Sequence, residues 1–309
     1  MIKILLRGEF MFETIIDATN TFLYSKLLIV ILIGSGIYFT IRTRFPQVRL
    51  FRKACNAVME KPEGKGSVSS FQALMVSTAS RVGTGNIVGV SSAICIGGVG
   101  SVFWMWIIAI LGSASALAES TLAQIYKKKG EDGKCYGGPA YYIEAALHSR
   151  GLAVVFCIAM ILTYAFGFNM LASYNLQSTF AGQPFYNADI TPWIIGGILA
   201  LVMGWCLLGG GNRIVKVTST LVPFMGIAYI LVSLFVVVLN IGQLPSVMAQ
   251  IFKEAFDFKA IFAGFAGSAM MQGIRRGLYS NEAGIGSAPN AAASAVVSHP
   301  VKQGLVQML

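Results

Sequence analysis

The 309 residues carry 23 Lys and Arg against 13 Asp and Glu, a net charge of +10, yet only 12% of the chain is charged and 55% is hydrophobic. Soluble globular domains place about a quarter of their residues in charge, so this composition excludes one and reads as an all-α polytopic membrane protein. The cations lie between apolar runs with no recognition motif, which excludes a nucleic-acid partner. The five scattered cysteines form no C-x-x-C pair and read as reduced thiols, and the two histidines, His148 and His299, have no metal partner near them in sequence.

Residues 1–20 mix Lys3, Arg7, Glu9, Glu13 and Asp17 with apolar residues and read as an amphipathic lead-in at the interface, not a signal peptide. Residues 22–41 are long enough for a first span. Arg42, Arg44, Arg49, Arg52 and Lys53 follow it, so this span is expected to run from outside to inside, with Pro46 ending it. Residues 61–66, punctuated by Pro and Gly, read as a cytoplasmic linker.

Residues 71–96 are apolar over a membrane-crossing length but hold Arg81, Gly83, Thr84, Gly85 and Asn86 at their centre. A helix interrupted there frees carbonyls from one half and aims N–H groups from the other at one point, which suits a small dipolar solute near the midplane. Gly85 and Gly89 equally suit a close helix-packing seam.

Residues 97–100 form a tight external turn, and residues 101–125 return inward, with Trp104 and Trp106 near the outer end and Lys127, Lys128 and Lys129 at the inner end. Glu119 is expected near the headgroups or paired with a basic loop residue. A loop at 130–138 and a short interfacial helix at 139–147 precede a span at 152–174, on which Asn169 and Ser173 share a face. That stripe suits a cavity wall or a helix–helix hydrogen bond. Residues 175–191 are an external loop without Lys or Arg, 192–208 cross back, 209–212 turn, Arg213 and Lys216 hold the turn inside, and 217–239 cross outward with Pro223 as a kink.

An external segment with Glu254 and Asp257 leads to a second interrupted run from Ala260, in which Arg275, Arg276, Gly277, Ser280, Asn281, Glu282, Gly284 and Gly286 fall mid-membrane. A fixed offset of 195 residues matches Arg81 with Arg276, Asn86 with Asn281 and Gly89 with Gly284. The first broken span and the four after it make five, so the second set starts from the opposite side. That is a five-plus-five inverted-repeat transporter fold with discontinuous helices. Its expected units are 1–70 (lead-in, first span and linker), 71–240 (first repeat) and 241–309 (start of an incomplete second repeat). On this layout the chain is truncated at its C-terminal end, and a complete partner repeat needs roughly another 130 to 150 residues. A channel is the other class weighed; no charged ring or carbonyl filter resembles one.

Several stretches carry a family resemblance: Phe71-Gln72-Ala73-Leu74, the run from Val82 to Ile87, Phe103-Trp104-Met105-Trp106, Gly137-Gly138-Pro139 with Tyr141-Tyr142, and the run from Ser280 to Pro289. Together they resemble the alanine or glycine:cation symporter family. The resemblance implies sodium-driven uptake of small neutral amino acids by alternating access, in a multi-pass protein of the inner or plasma membrane that is not an enzyme. Carried over, Gly83, Thr84, Gly85 and Asn86 meet the substrate carboxylate, and Ser280, Asn281, Glu282 and Gly284 receive its ammonium end, with Asn169 on the cavity wall. Gly83, Thr84 and Asn86 are also the implied sodium ligands. Glu282 is the ammonium's charge partner or, alternatively, is paired with Arg275 or Arg276. The family usually has Gln where Ala172 stands, which opens the alternative of a carrier for a larger amino acid such as glutamine; the missing end opens another, a non-transporting fragment of a symporter.

Overall fold

The computed structural model describes residues 13–60, 68–83, 85–131, 135–257 and 268–309. The start of the lead-in, the 61–66 linker, Thr84, part of the 130–138 loop and the first residues of the second interrupted run lie outside the described residues.

Residues 13–22 are helical and continue through a π-turn, Leu23–Leu27, into α1, Leu28–Arg42. Pro46 does not end this helix. Arg44 and Phe45 turn the chain in the left-handed region (φ 58° and 52°), and Pro46 occupies the first position of α2, Pro46–Arg49, where its missing N–H is no loss. The short helix α3, Phe51–Val58, follows. α4, Ser70–Arg81, opens with a capping box: Ser69 Oγ accepts from the Gln72 N–H at 3.1 Å and Gln72 Oε1 accepts from the Ser69 N–H at 3.0 Å. After the first break comes a π-turn, Gly85–Gly89, and then α5, Val90–Gly97.

Among the described residues, four helices are long and apolar enough to cross a membrane: α6, Ser101–Ile125; then, beyond a pair of two-residue strands and α7, Pro139–Leu147, α8, Arg150–Ser178; α9, Thr191–Leu208; and α10, Gly210–Leu239. The expected 209–212 turn is shorter than its glycines suggest, because α10 already begins at Gly210. The external segment is largely a helix, α11, Leu244–Ala255. Glu254 Oε2 accepts from the Gly100 N–H at 3.3 Å, and Trp104 Nε1 donates to the Ala255 carbonyl at 2.9 Å, so α11 is pinned to the turn between α5 and α6. The second interrupted run is α12, Ala269–Asn281, and α13, Ser287–Ser294; α14, Pro300–Met308, ends the chain.

α6 is the hub, packed against α1, α11, α12, α13 and α14. Its buried residues are mostly small (Gly112, Ala114, Ser115, Ala116, Ser120, Ala123), which lets neighbouring backbones close in. One close approach uses Gly273 and Gly277 of α12. A Cβ at 277 would stand 2.9 Å from Ile108 Cβ, and one at 273 would press on the Ser101 carbonyl. Gly89, in contrast, faces the Arg276 side chain, with a Cβ there 3.5 Å from Arg276 Cδ. The small-residue seam therefore lies on α12. Ile29 and Leu32 of α1 seal this interface with Ile108, Met271, Ile274 and Leu278. No residue of α9 or α10 is buried, and most of their large apolar side chains are exposed, as suits helices that face lipid.

The two broken helices pair half against half: α4 packs on α13 and α5 on α12. They therefore run antiparallel, with their interruptions side by side. The 195-residue offset does not describe this pairing, since it places the counterpart of Gly83 at Leu278, inside α12. The helix ends themselves, Arg81 and Asn281, are 200 residues apart.

Candidate functional site

The first break begins where α4 stops at Arg81 and Val82 turns extended (φ −89°, ψ 97°). Helical geometry returns as Gly85 enters the π-turn, with the Asn86 N–H donating to the Gly83 carbonyl at 3.1 Å. The second break follows Asn281. Glu282 takes the left-handed region (φ 50°), Gly284 and Gly286 do the same (φ 83° and 94°), and α13 starts at Ser287. Three left-handed residues in five cannot continue a right-handed helix, and two of them are glycines because no Cβ is tolerated there.

Side chains tie the breaks together. The Ser280 hydroxyl donates to Asn86 Oδ1. The Ser80 hydroxyl donates to Glu282 Oε2 at 3.0 Å, and the Ser287 hydroxyl donates to the same oxygen at 2.6 Å. Glu282 is only 2% exposed, so these hydroxyls replace the water its carboxylate has lost. Arg81 is its electrostatic neighbour. The Arg81 Nη1 donates to the Gln307 carbonyl at 3.4 Å, while its Nε and Nη2 have no hydrogen-bond partner among the described residues. Arg276, a candidate partner for Glu282 in the sequence, lies along Gly89.

A cavity of about 250 Å³ opens between the breaks. Ser80, Arg81 and Gly83 line it from α4 and the first break, Tyr279, Ser280 and Glu282 from α12 and the second break, and Tyr164, Phe168, Asn169 and Ala172 from α8. It is smaller than the roughly 300–1,000 Å³ of drug-sized pockets. The α8 wall depends on a π-stretch, Leu162–Phe168, which adds a residue to the turn just before Asn169. The rings of Tyr164 and Phe168 stack at 4.9 Å, and Phe168 stacks on Tyr279 of α12 at 5.7 Å, closing one side of the cavity with aromatic faces.

The sequence model of the Sodium:alanine symporter family matches residues 9–309. The chain belongs to that family. Its relatives include the "Probable sodium/glutamine symporter GlnT" of Bacillus subtilis (strain 168), 49% identical over 298 residues that make up 96% of this chain and 61% of the relative. The amino-acid carrier protein AlsT of the same organism is 46% identical over 302 residues, 97% of this chain and 63% of the relative. The sodium/alanine symporter AgcS of Methanococcus maripaludis is 38% identical over 300 residues, 96% of this chain and 66% of the relative. The chain thus spans about three fifths of the length of the curated relatives it matches.

Within this sodium:alanine symporter family chain, Gly83, Asn169, Ser280 and Glu282 face one cavity, and Asn86 joins them through Ser280. Gly85 opens the π-turn beside them, and Thr84 is outside the described residues. Asn281 and Gly284 turn away. Asn281 Nδ2 donates to the Ile108 carbonyl at 3.3 Å while its Oδ1 accepts from the Ala283 N–H at 2.9 Å. The Gly284 N–H donates to Glu119 Oε1 at 3.1 Å. Glu119 thus meets the second break and not a basic loop residue, and it is 8% exposed, inside the bundle. The Asn169 side chain bonds its own helix at Ala165, and the Ser173 hydroxyl bonds Met170, so among the described residues the stripe they share makes no helix–helix bond. Sequence reasoning missed Ser80, Tyr164, Phe168 and Tyr279. Tyr164 and Phe168 do sit four apart, with Phe168 adjoining Asn169, but nothing local announces the π-stretch that turns them inward.

Proposed function

We propose that the full-length protein is a sodium-coupled symporter of small neutral amino acids, of the alanine or glycine type, working by alternating access in the cell's inner or plasma membrane. The observation that carries this reading is the buried Glu282 carboxylate, held by two hydroxyls at the edge of a small cavity between two antiparallel broken helices. A buried carboxylate facing a cavity is a receptor for a cation, here the substrate ammonium. The cavity is also lined by Gly83 at the first break and by the Arg81 guanidinium, a setting for the substrate carboxylate. Sodium takes oxygen ligands, and the reading places it beside Gly83, Thr84 and Asn86, where an interrupted helix frees its last carbonyls. The antiparallel pairing of the broken helices supports a five-plus-five inverted repeat, and the basic runs after α1 and α6 support a cytoplasmic location for those ends.

Ala172 on the cavity wall favours a second substrate, glutamine, since a methyl group leaves room that a longer side chain would fill. The relative named for sodium and glutamine adds to that reading. Uptake of radiolabelled alanine, glycine and glutamine into proteoliposomes, with and without an inward sodium gradient, tests both. Gradient-dependent accumulation of one or more is the expected result, and equal uptake in the two conditions removes the coupling. The same assay on the 309 residues alone addresses the other alternative, a non-transporting fragment.

A further inference from the structure

Glu119 has no part in the cavity wall, yet its contacts converge on the second break. The carboxylate lies on α6, buried, and accepts the N–H of Gly284 at 3.1 Å. The neighbouring N–H, that of Ala283, is taken by Asn281 Oδ1, and Asn281 is in turn held on α6 at the Ile108 carbonyl. Gly112 permits this approach, because a Cβ there would stand 2.6 Å from Asn281 Nδ2. The N–H groups of Ala283 and Gly284 are thus taken by Asn281, which is anchored on α6, and by Glu119 of α6. Glu282, immediately before them, is a non-glycine residue in the left-handed region (φ 50°), a conformation that persists only where its surroundings enforce it.

We propose that Glu119 is a positioning residue for cargo binding: through the backbone of Gly284 it holds the second break in the conformation that turns Glu282 into the cavity. The inference rests on the reading of Glu282 as the cargo's charge partner. The groups that face Glu119 are Arg81 of α4, Glu282, Tyr164 of α8 and Tyr142 of α7. Burial first, and the Glu119 charge second, hold the Tyr142 phenol above its ordinary value, so it remains a neutral hydroxyl. Arg81 is the cation among these neighbours, and it also lines the cavity. The oxygen of Glu119 and its charge therefore serve different partners, and substitution separates them: Gln keeps an acceptor for Gly284 without the charge, whereas Leu and Ala remove the acceptor.

The experiment compares the wild-type chain with Glu119→Gln, Glu119→Leu and Glu119→Ala in detergent. It measures sodium-dependent binding of L-alanine and L-glutamine, melting temperature, and amide hydrogen exchange of a peptide covering residues 282–287 without cargo. The expected result is binding within about threefold of wild type for Gln, at least tenfold weaker binding for Leu or Ala, faster exchange confined to 282–287, and melting temperatures that stay close to wild type. Wild-type affinity in Leu and Ala, or a Gln variant as defective as Leu, overturns the proposal. So does global loss of fold in both Leu and Ala, which makes the tie purely structural. If the wild-type chain binds neither amino acid, the cargo reading fails, and the exchange of 282–287 still decides whether Glu119 holds the break.

Discussion

Ser80 and Glu282 stand 202 residues apart in the chain and meet through a 3.0 Å hydrogen bond, the last turn of one broken helix donating to the first residue beyond the other. The bond joins two elements that approach from opposite directions. Because Ser80 belongs to α4 and Glu282 to the interruption after α12, any movement of one broken helix against the other stretches it. A carboxylate that hydroxyls hold this way is poised to exchange one of them for an ammonium group, since hydrogen bonds to a charged acceptor are stronger when the donor is also charged.

Glu282→Gln and Asn86→Ala are each expected to abolish measurable transport in the full-length protein without preventing membrane insertion. Replacing the carboxylate removes a charge-assisted partner worth about 1.5–3 kcal/mol, roughly ten- to hundredfold in affinity. Removing the Asn86 amide leaves the Ser280 hydroxyl without its acceptor. Sodium-driven uptake, set beside protein recovered from the membrane fraction, checks both, and wild-type uptake by both variants places the site elsewhere.

Ser80→Ala and Ser287→Ala remove two donors from one oxygen, Glu282 Oε2. Each alone is expected to weaken cargo binding about fivefold, in line with about 1 kcal/mol per net hydrogen bond. Residues that share a partner do not act independently, so the double variant is expected to depart from the sum by at least about 0.5 kcal/mol. A binding cycle over the four proteins measures the departure, and strict additivity contradicts the shared-oxygen geometry.

Gly273→Ala and Gly277→Ala insert a methyl group into the α12–α6 seam, where the Ser101 carbonyl and the Ile108 side chain already stand. Overpacking of this kind costs about 1–3 kcal/mol. Both variants are expected to melt several degrees lower in detergent. Gly226→Ala in α10, where a Cβ meets open space, is the control and is expected to leave the melting temperature unchanged or slightly raised.

Ala172→Gln fills part of the cavity from α8. Uptake of glutamine is expected to fall about tenfold more than uptake of alanine, the scale on which a pocket discriminates by a few atoms. Equal losses for the two amino acids mean that position 172 does not face the substrate side chain.

The local chemistry of the chain determined where helices stop. Glycines and polar residues clustered inside apolar runs mark both interruptions, at Gly83 and at Glu282 to Gly286, because a backbone without a Cβ or with a competing side chain leaves the helix at low cost, whereas single glycines such as Gly273 and Gly277 stay helical. Membrane character, the four long spans and the Gly83, Ser280 and Glu282 side of the cavity were legible for the same reason. The tertiary structure alone decided which surfaces meet. Glu119 lies near the end of an apolar helix in sequence, but the rotation of α6 turns it onto Gly284. Gly89 faces the Arg276 side chain, whereas Gly273 and Gly277 press against α6. The offset between the broken helices moved from 195 to 200 residues once their ends were seen side by side. Helix rotation and register depend on the packing of distant segments, and no window of sequence contains both partners of such a contact.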